Sequence, residues 1–267
     1  MQVIGLCRFS FPAMGGFQVE HESTEERSTY LYRAERMQER FRHFETIMLP
    51  SIAQQSDTDF TFVIVIGDNL PDIYQERLFD LCAPYPHILI QAHAPADHRE
   101  TMKTAFNSVR TKTDAPCLQF RHDDDDAIAL NFVQSFKQVA AECRPLLERN
   151  KFVGFDFARG YVVRPAAEGL YVEETYHPSW GVALGISVAP HIQKSIMNFA
   201  HGKLARFMPA ISFDNPPMYL RGHNDFNDSR QGPNVRAPKL SLLDSAGEQM
   251  FRETFGVDSD HIRRVFA

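Results

Sequence analysis

Four consecutive aspartates at 123–126 are the residues of this chain best suited to chemistry. Carboxylates this close repel one another and cannot be buried unless positive charge lies among them. Carboxylate oxygens are also the ligands that Mg²⁺ and Mn²⁺ prefer. Alternate residues of an extended chain point to the same side, so Asp123 with Asp125, or Asp124 with Asp126, can converge on one cation. A solvated turn or a helix N-terminus would explain the run without any function.

The elements before the aspartates predict where they lie. Apolar runs alternate with helical periodicity and predict strands at 3–9, 60–66, 87–91 and 116–121, with helices at 30–50, 72–82 and 97–111. Such alternation predicts a mainly parallel sheet with right-handed crossovers. In an open parallel sheet, ligands bind beyond the carboxyl ends of the strands. The fourth strand ends at the aspartates, so the run falls on the side where this architecture has its sites.

The helix predicted at 30–50 is amphipathic. Its apolar stripe steps by three and four residues and comprises Tyr30, Ala34, Met37, Phe41, Phe44 and Met48. The charged residues between them, Arg36 and Arg40 included, are predicted to face solvent. Pro50 is predicted to end the helix.

The second half of the chain has a different character. Short strand candidates follow one another closely, as in hairpins, and Pro190 opens a predicted helix at 190–201. The stretch 209–239 is rich in Pro, Gly, Asn and Asp and lacks periodicity, which is typical of a functional loop. Ser245 and Glu248 form a capping pair that predicts a last helix.

We predict a single domain over residues 1–267, because no internal repeat or flexible linker divides the chain. Residues 1–127 form the half with alternating strands and helices, and residues 128–267 form the second half, which ends in helices. With 43% hydrophobic residues, the chain can bury a sizeable core.

The composition also argues against some classes of function. A formal net charge of -6 argues against nucleic acid as a partner, since a nucleic-acid footprint would be basic. No apolar stretch approaches the roughly 18 to 20 residues that span a bilayer. The four cysteines include no CxxC pair, which predicts free thiols in a reducing cytoplasm.

Three stretches resemble a known family: "RFSFPAMGGFQ", "ERFRHFETIMLPSIAQQSDTDFTFVIVIGDNLP" and "QFRHDDDDAI". They are similar to the bacterial family named "putative rhamnosyltransferase" and to glycosyltransferases of GT-A fold. The resemblance covers most of the chain and is weak after about residue 165. It implies a GT-A-like α/β fold, the three-layer sandwich of nucleotide-diphospho-sugar transferases, with a mainly parallel mixed central sheet. The half at 1–127 would bind the nucleotide sugar and the half at 128–267 the acceptor.

The resemblance also implies roles for the aspartates. In GT-A enzymes an aspartate of this motif binds Mn²⁺ or Mg²⁺, which bridges the diphosphate of the nucleotide-sugar donor. On this sequence Asp123 and Asp124 become donor contacts, and Asp125 and Asp126 become metal ligands. Asp124 stands where a small residue is more usual, so the register is open by one residue. Asp123 with Asp125 is the working pair that we favour, and Asp126 is the nearest rival.

Other residues receive roles by the same resemblance. The donor contacts implied are Arg8, Ser10, Asp68 and Arg121. His223 in the late loop is a further metal ligand, Asp225 or Asp214 is the general base, and Trp180 binds the acceptor. Each also has an ordinary structural interpretation, such as a surface ion pair for Arg8 or an exposed loop imidazole for His223.

The implied acceptor is a glycan or a lipid-linked sugar. An enzyme with that acceptor would act in the bacterial cytoplasm, with possible peripheral association at the inner face of the membrane. Two other classes stay open. One is a metal-dependent nucleotidyltransferase or phosphoryl-transfer enzyme, and the other is a non-catalytic domain that binds carbohydrate or ions.

Overall fold

The computed structural model describes residues 1–14, 21–224 and 237–267 of the 267-residue chain. The strands are β1 (Gln2–Arg8), β2 (Thr61–Gly67), β3 (Ile88–His93), β4 (Cys117–His122), β5 (Ala127–Ile128), β6 (Phe152–Phe157), β7 (Arg159–Ala166), β8 (Gly169–Tyr176), β9 (Leu184–Val188), β10 (Ala210–Phe213), β11 (Tyr219–Gly222) and β12 (Ser241–Leu242). The α-helices are α1 (Thr24–Leu31), α2 (Ala34–His43), α3 (Leu49–Ala53), α4 (Asp72–Cys82), α5 (His98–Ser108), α6 (Phe132–Glu142), α7 (Arg144–Arg149), α8 (Ser245–Phe255) and α9 (Ser259–Phe266).

Among the described residues, seven strands form the central sheet in the order β10-β6-β9-β4-β1-β2-β3. Only β9 runs antiparallel to its neighbours, β4 and β6. The other strands therefore end at one common edge of the sheet. This order confirms the predicted mainly parallel mixed sheet, and β1 to β4 lie within two residues of their predicted bounds.

Helices cover both faces of this sheet and make it the middle of three layers. Alternate side chains of a strand point to opposite faces. In β2, Phe62, Ile64 and Ile66 join one apolar core with α2, α4 and α6. Val63 and Val65 join a second core with α5. The fully apolar runs seen in the sequence are therefore strands buried on both sides.

A smaller sheet has the order β12-β8-β7-β11-β5. Its strand β5 pairs with β11, where Ala127 lies opposite Leu220 and Ile128 opposite Tyr219. Because β4 ends at His122 and β5 begins at Ala127, residues 123–126 alone make this crossing from the large sheet to the small one.

The helical region after β1 differs from its prediction. The expected helix at 30–50 is broken after Leu31 and continues as α2, a π-helical turn at Phe44–Met48, and α3. Pro50 does not end it, because the helix runs on through Pro50 to Ala53 as α3. The predicted helix at 190–201 is wrong, and that region forms two short 3₁₀ turns at Ile196–Asn198 and His201–Arg206.

The C-terminal helices lie against the small sheet. Tyr161 of β7 packs on Phe251 and Phe255 of α8, with ring centroids 4.9 and 6.3 Å apart. Asp244, one residue before the predicted cap, caps α8 by accepting a 2.8 Å hydrogen bond from the N–H of Gly247. None of the described helices is long and apolar enough to cross a bilayer.

Gly5 in the middle of β1 allows a direct test of this packing. A Cβ there would lie 2.3 Å from Cζ of Phe120 and 2.6 Å from Cδ2 of Phe62. Both rings are buried, so we expect Gly5→Ala to lower the free energy of unfolding by about 2 to 3 kcal/mol, measured by urea denaturation. Gly202→Ala is the control, because a Cβ at Gly202 meets nothing within 4 Å. An equal loss in both variants would contradict the packing described.

Candidate functional site

The four aspartates are held between the two sheets. They leave the carboxyl edge of the large sheet at β4 and enter the small sheet at β5. Gly222 of β11 packs closely on them, since a Cβ there would lie 2.4 Å from the carbonyl oxygen of Asp125. Asp124, Asp125 and Asp126 are 1%, 6% and 3% exposed, which excludes a solvated turn.

Asp124 is bound by Arg40 of α2. Nε of Arg40 donates to Oδ2 of Asp124 at 3.0 Å, and Nη2 donates to Oδ1 in a second, shorter contact. Such bidentate pairing is the strong form of a charge-assisted hydrogen bond. The expectation that Arg40 faces solvent is wrong, because a buried carboxylate requires a buried partner.

Asp125 is oriented by two side chains. Nη1 of Arg40 lies 3.4 Å from Oδ2 of Asp125, and the same oxygen accepts a 2.7 Å hydrogen bond from Nδ2 of Asn224. Within the described part of the chain, Oδ1 of Asp125 makes no hydrogen bond. Asp125 therefore keeps one carboxylate oxygen for a ligand.

Asp126 is held by the backbone of β11. Its Oδ1 accepts a 2.9 Å hydrogen bond from the N–H of Gly222, and its Oδ2 lies 4.0 Å from Nη1 of Arg221. Burial and the neighbouring charge of Asp125 raise the pKa of Asp126 well above its ordinary value, and Arg221 offsets this only in part. A carboxyl group that must first lose a proton is a poorer cation ligand than its neighbours.

Asp123 is the most exposed of the four aspartates. Its side chain is 38% exposed, and its Oδ1 lies 3.5 Å from Nη2 of Arg121. Although burial opposes ionisation, the guanidinium groups of Arg121, Arg8 and Arg221 hold the pKa of Asp123 below its usual range. Asp123 is therefore an ionised carboxylate that a ligand can reach.

Among the described residues, four arginines balance the four aspartates. Arg8 ends β1, Arg40 belongs to α2, Arg121 to β4 and Arg221 to β11. Arg40 pairs with Asp124 and Asp125, Arg221 lies beside Asp126, and Arg121 lies beside Asp123. The charges of Arg8 and Arg221 also act on Asp123, so guanidinium groups from three strands lie near one accessible carboxylate. The planar fork of arginine suits phosphate oxygens.

Trp180, the only tryptophan of the chain, belongs to the same cluster. The guanidinium carbon of Arg221 lies 4.7 Å from the centre of the indole ring, as in a cation–π contact, and His177 stacks on the ring at 4.7 Å. The N–H of the preceding residue, Ser179, donates to Oδ2 of Asp156 at 2.8 Å. These contacts fix an aromatic ring beside the charged groups.

The other residues expected to bind the donor lie at the carboxyl edge of the sheet. Ser10, just after β1, is buried, and its hydroxyl accepts a 2.9 Å hydrogen bond from Nη1 of Arg36. Arg36 is itself only 2% exposed, so its predicted place on the solvent face is also wrong. Asp68 follows β2 and is exposed. Because β2 is adjacent to β1, Asp68 lies one strand from Arg8.

Three further residues are expected to complete the metal site or to act as the general base: His223, Asp225 and Asp214. His223 stands between Gly222 and Asn224, both of which contact the acidic segment. Asp225 lies outside the described residues. Asp214 is exposed after β10, three strands from β4, which corresponds to about 14 Å across the sheet.

Sequence reasoning missed Arg40, Arg221 and Asn224, and it also missed His98 at the start of α5. Burial and the charges of Arg8 and Arg121 lower the pKa of His98 to about 3, so its imidazole is neutral at pH 7. One signal was available in the sequence. A run of aspartates that is buried needs cations, and arginines one helical turn apart beside an apolar stripe are suitable donors.

The site fits a cation that is shared with a ligand. Among the described residues, no group of three or more His, Cys, Asp or Glu side chains converges to hold a metal ion. Mg²⁺, however, is commonly held by one or two carboxylates, with water and substrate phosphates in the other positions. Asp123 and Asp125 each have an oxygen without a hydrogen bond to the described residues and meet that smaller requirement.

The three-layer α/β fold with its mainly parallel mixed sheet agrees with the GT-A-like fold class that the sequence predicts. The model of the family described as "Putative rhamnosyl transferase" matches residues 2–236. The chain therefore belongs to this glycosyltransferase-like family. Among curated proteins, none matches the chain in sequence.

Solved structures of similar arrangement share little sequence with the chain. S. aureus TarS 1-349 is 10% identical, with a TM-score of 0.45 over 83% of this chain and 60% of that one. Its complex with UDP is 11% identical, with a TM-score of 0.42 and the same coverage. A "putative nucleotide-diphospho-sugar transferase" from Desulfovibrio desulfuricans G20 is 12% identical, with a TM-score of 0.34 over 84% and 82%. The chain spans about 60% of the TarS 1-349 chain.

Replacement of Arg221 tests the cluster through the single tryptophan. Arg221→Ala uncovers the indole of Trp180, so we expect its emission to shift to longer wavelength and acrylamide to quench it more strongly. Loss of the cation–π contact should lower the free energy of unfolding by about 1 to 2 kcal/mol. Arg144→Ala, at an arginine whose side chain is 80% exposed, is the control. Unchanged emission in Arg221→Ala would contradict the contact.

His98 makes stability depend on pH. The pKa of His98 is lowered from 6.5 to about 3, so at pH 5 the unfolded chain binds a proton that the folded chain does not. This histidine by itself should therefore lower the free energy of unfolding by about 1.4 kcal/mol per pH unit below pH 6.5, or about 2 kcal/mol at pH 5. Urea titrations at pH 7 and pH 5 measure this decline. Between pH 7 and pH 5, the free energy of unfolding of His98→Asn should fall by about 2 kcal/mol less than that of the wild type. An identical fall in both proteins would refute the lowered pKa of His98.

Proposed function

We propose that the protein is a glycosyltransferase that moves a sugar from a nucleoside-diphosphate donor to a glycan or lipid-linked acceptor. The family description favours rhamnose as the sugar. The observation that carries the proposal is the set of Arg8, Arg121 and Arg221 around the exposed carboxylate of Asp123. A cluster of this composition, at the carboxyl ends of parallel strands, suits a diphosphate.

The donor would lie across the ends of β1, β2 and β4. Arg8 and Arg121 supply charge to the diphosphate. Asp68 stands at the end of the neighbouring strand, where a carboxylate can accept hydrogen bonds from a ribose or a base. Ser10 contributes through its loop, because its hydroxyl is already engaged by Arg36.

Metal dependence belongs to the same proposal. A Mn²⁺ or Mg²⁺ ion held by Asp123 and Asp125 would supply Lewis-acid stabilisation to the departing nucleoside diphosphate. Two contacts make these carboxylates suitable as ligands: Arg121 helps to keep Asp123 ionised, and Asn224 orients Asp125. Asp126 and His223 are the further proposed ligands.

The acceptor would enter beside Trp180. Its hydroxyl must lose a proton during an inverting transfer, and Asp225 and Asp214 are the proposed bases. Asp225 is the preferred base, because it follows in sequence Asn224, which donates a hydrogen bond to Asp125. An acceptor of glycan or lipid-linked type places the reaction in the bacterial cytoplasm, including the inner face of the membrane.

Asp125→Asn tests the donor site and the metal together. The amide preserves the size of the side chain but removes the charge that a cation needs. We expect roughly 100-fold weaker binding of the nucleoside diphosphate in Mn²⁺, with an unchanged circular dichroism spectrum. Calorimetry with UDP, GDP and dTDP, each in Mn²⁺ and in EDTA, measures the effect.

Asp114→Asn is the matched control for this experiment. Asp114 is exposed and precedes β4, at the opposite edge of the sheet, so this variant should bind as the wild type does. Equal affinities in Asp125→Asn and Asp114→Asn would refute the site assignment.

Products separate this function from the two alternatives. Release of nucleoside diphosphate from a nucleotide sugar identifies a glycosyltransferase. Release of pyrophosphate from a nucleoside triphosphate and a sugar phosphate would identify a nucleotidyltransferase. Binding of Ca²⁺ without any nucleotide would identify a non-catalytic ion-binding domain.

A further inference from the structure

Helix α2 carries two buried arginines one turn apart. Nη1 of Arg36 donates to Oγ of Ser10 at 2.9 Å and to the carbonyl oxygen of Leu31 at 3.1 Å. Arg40 donates to the acidic segment. Four residues of helix rise about 6 Å, close to the roughly 4.8 Å between neighbouring strands. Helix α2 therefore holds in place both loops that follow the adjacent strands β1 and β4.

Asp124 differs from the other aspartates in what it contacts. Both of its carboxylate oxygens accept hydrogen bonds from Arg40, and its side chain is 2% exposed. Asp123 and Asp125 each retain an oxygen with no hydrogen bond to the described residues. Residues 123–126 form a turn, in which the N–H of Asp126 donates a 3.3 Å hydrogen bond to the carbonyl oxygen of Asp123.

Building on the proposed function, we propose that Arg40 is a positioning residue and that Asp124 is its buried counter-ion. The pair sets the register of residues 123–126, so that Asp123 and Asp125 face the donor. Asp124 contributes to the position of its neighbours and makes no contact with the donor.

The energetics of a buried ion pair make this role testable. Removal of one partner leaves an uncompensated charge in the interior, and the segment must move to hydrate it. Replacement of both partners by neutral side chains leaves no such charge at 124, although Asp125 then loses its 3.4 Å contact with Nη1 of Arg40. A displacement of about 1 Å at a reacting centre is enough to cost about 100-fold.

A double-mutant cycle measures the role. The variants are Arg40→Met, Asp124→Asn and the double variant, each titrated in Mn²⁺ with whichever of UDP, GDP and dTDP the wild type binds best. We expect each single variant to bind about 100-fold more weakly and to unfold at a lower temperature. We expect the double variant to recover part of both losses, since Asp125 still lacks its contact with Arg40.

The outcomes are distinct. A double variant that folds but binds as weakly as the weaker single variant would overturn the proposal, because Asp124 or Arg40 would then contact the donor. Single variants with wild-type affinity would also overturn it. If the double variant with Met does not fold, Arg40→Gln with Asp124→Asn repeats the test with a neutral hydrogen-bonded pair.

A second ion pair near the same helix provides the control. Arg77 pairs with Glu45 at 3.1 Å, at the surface of the π-helical turn. Arg77→Met with Glu45→Gln should leave nucleotide affinity unchanged, both singly and together. Wild-type protein that binds no nucleoside diphosphate would refute the proposed function. The recovery of the unfolding temperature in the double variant would still test the Arg40–Asp124 pair.

Discussion

The charge balance between the four aspartates and the arginines around them is the interaction on which the rest of the structure depends. A carboxylate that is taken out of water needs a cation close to it, and here three of four adjacent carboxylates are almost fully buried. The guanidinium groups come from β1, α2, β4 and β11, which lie far apart in the chain. The fold must bring these elements together before the acidic segment can be buried, so the same constraint shapes the architecture and the site.

The junction of the two sheets gives the site its asymmetry. The four aspartates are the whole connection between β4 and β5, and the close approach of Gly222 leaves them little freedom. Asp124 is turned inward to Arg40, while Asp123 is turned outward among three arginines. Arg221 links this arrangement to Trp180 on one side and to Asp126 on the other. The inner carboxylate is paired with Arg40, and the outer side carries the accessible carboxylate of Asp123.

Local patterns predicted the large sheet well and the helices after β1 less well. β2 and α4 could be placed because each has an unbroken apolar run or a clear turn signal at its end. Arg36 and Arg40 were misplaced because a polar residue beside an apolar stripe normally faces solvent. Arg40 does not, since its partner lies 84 residues further along the chain. The region 190–201 forms 3₁₀ turns, which a proline signal followed by a few apolar residues does not distinguish from a helix.

By itself, the sequence determined the order of strands and helices and the position of the acidic run at the end of the fourth strand. It also determined the class of ligand that such a run suits, since these features depend on the periodicity and chemistry of neighbouring residues. Only the tertiary structure decided which aspartate is buried against Arg40 and which is exposed. The same holds for Arg221, Asn224 and Trp180, which converge on the aspartates from elsewhere in the chain. The physical reason is that burial and ion pairing depend on distance in space, and no local pattern contains that distance.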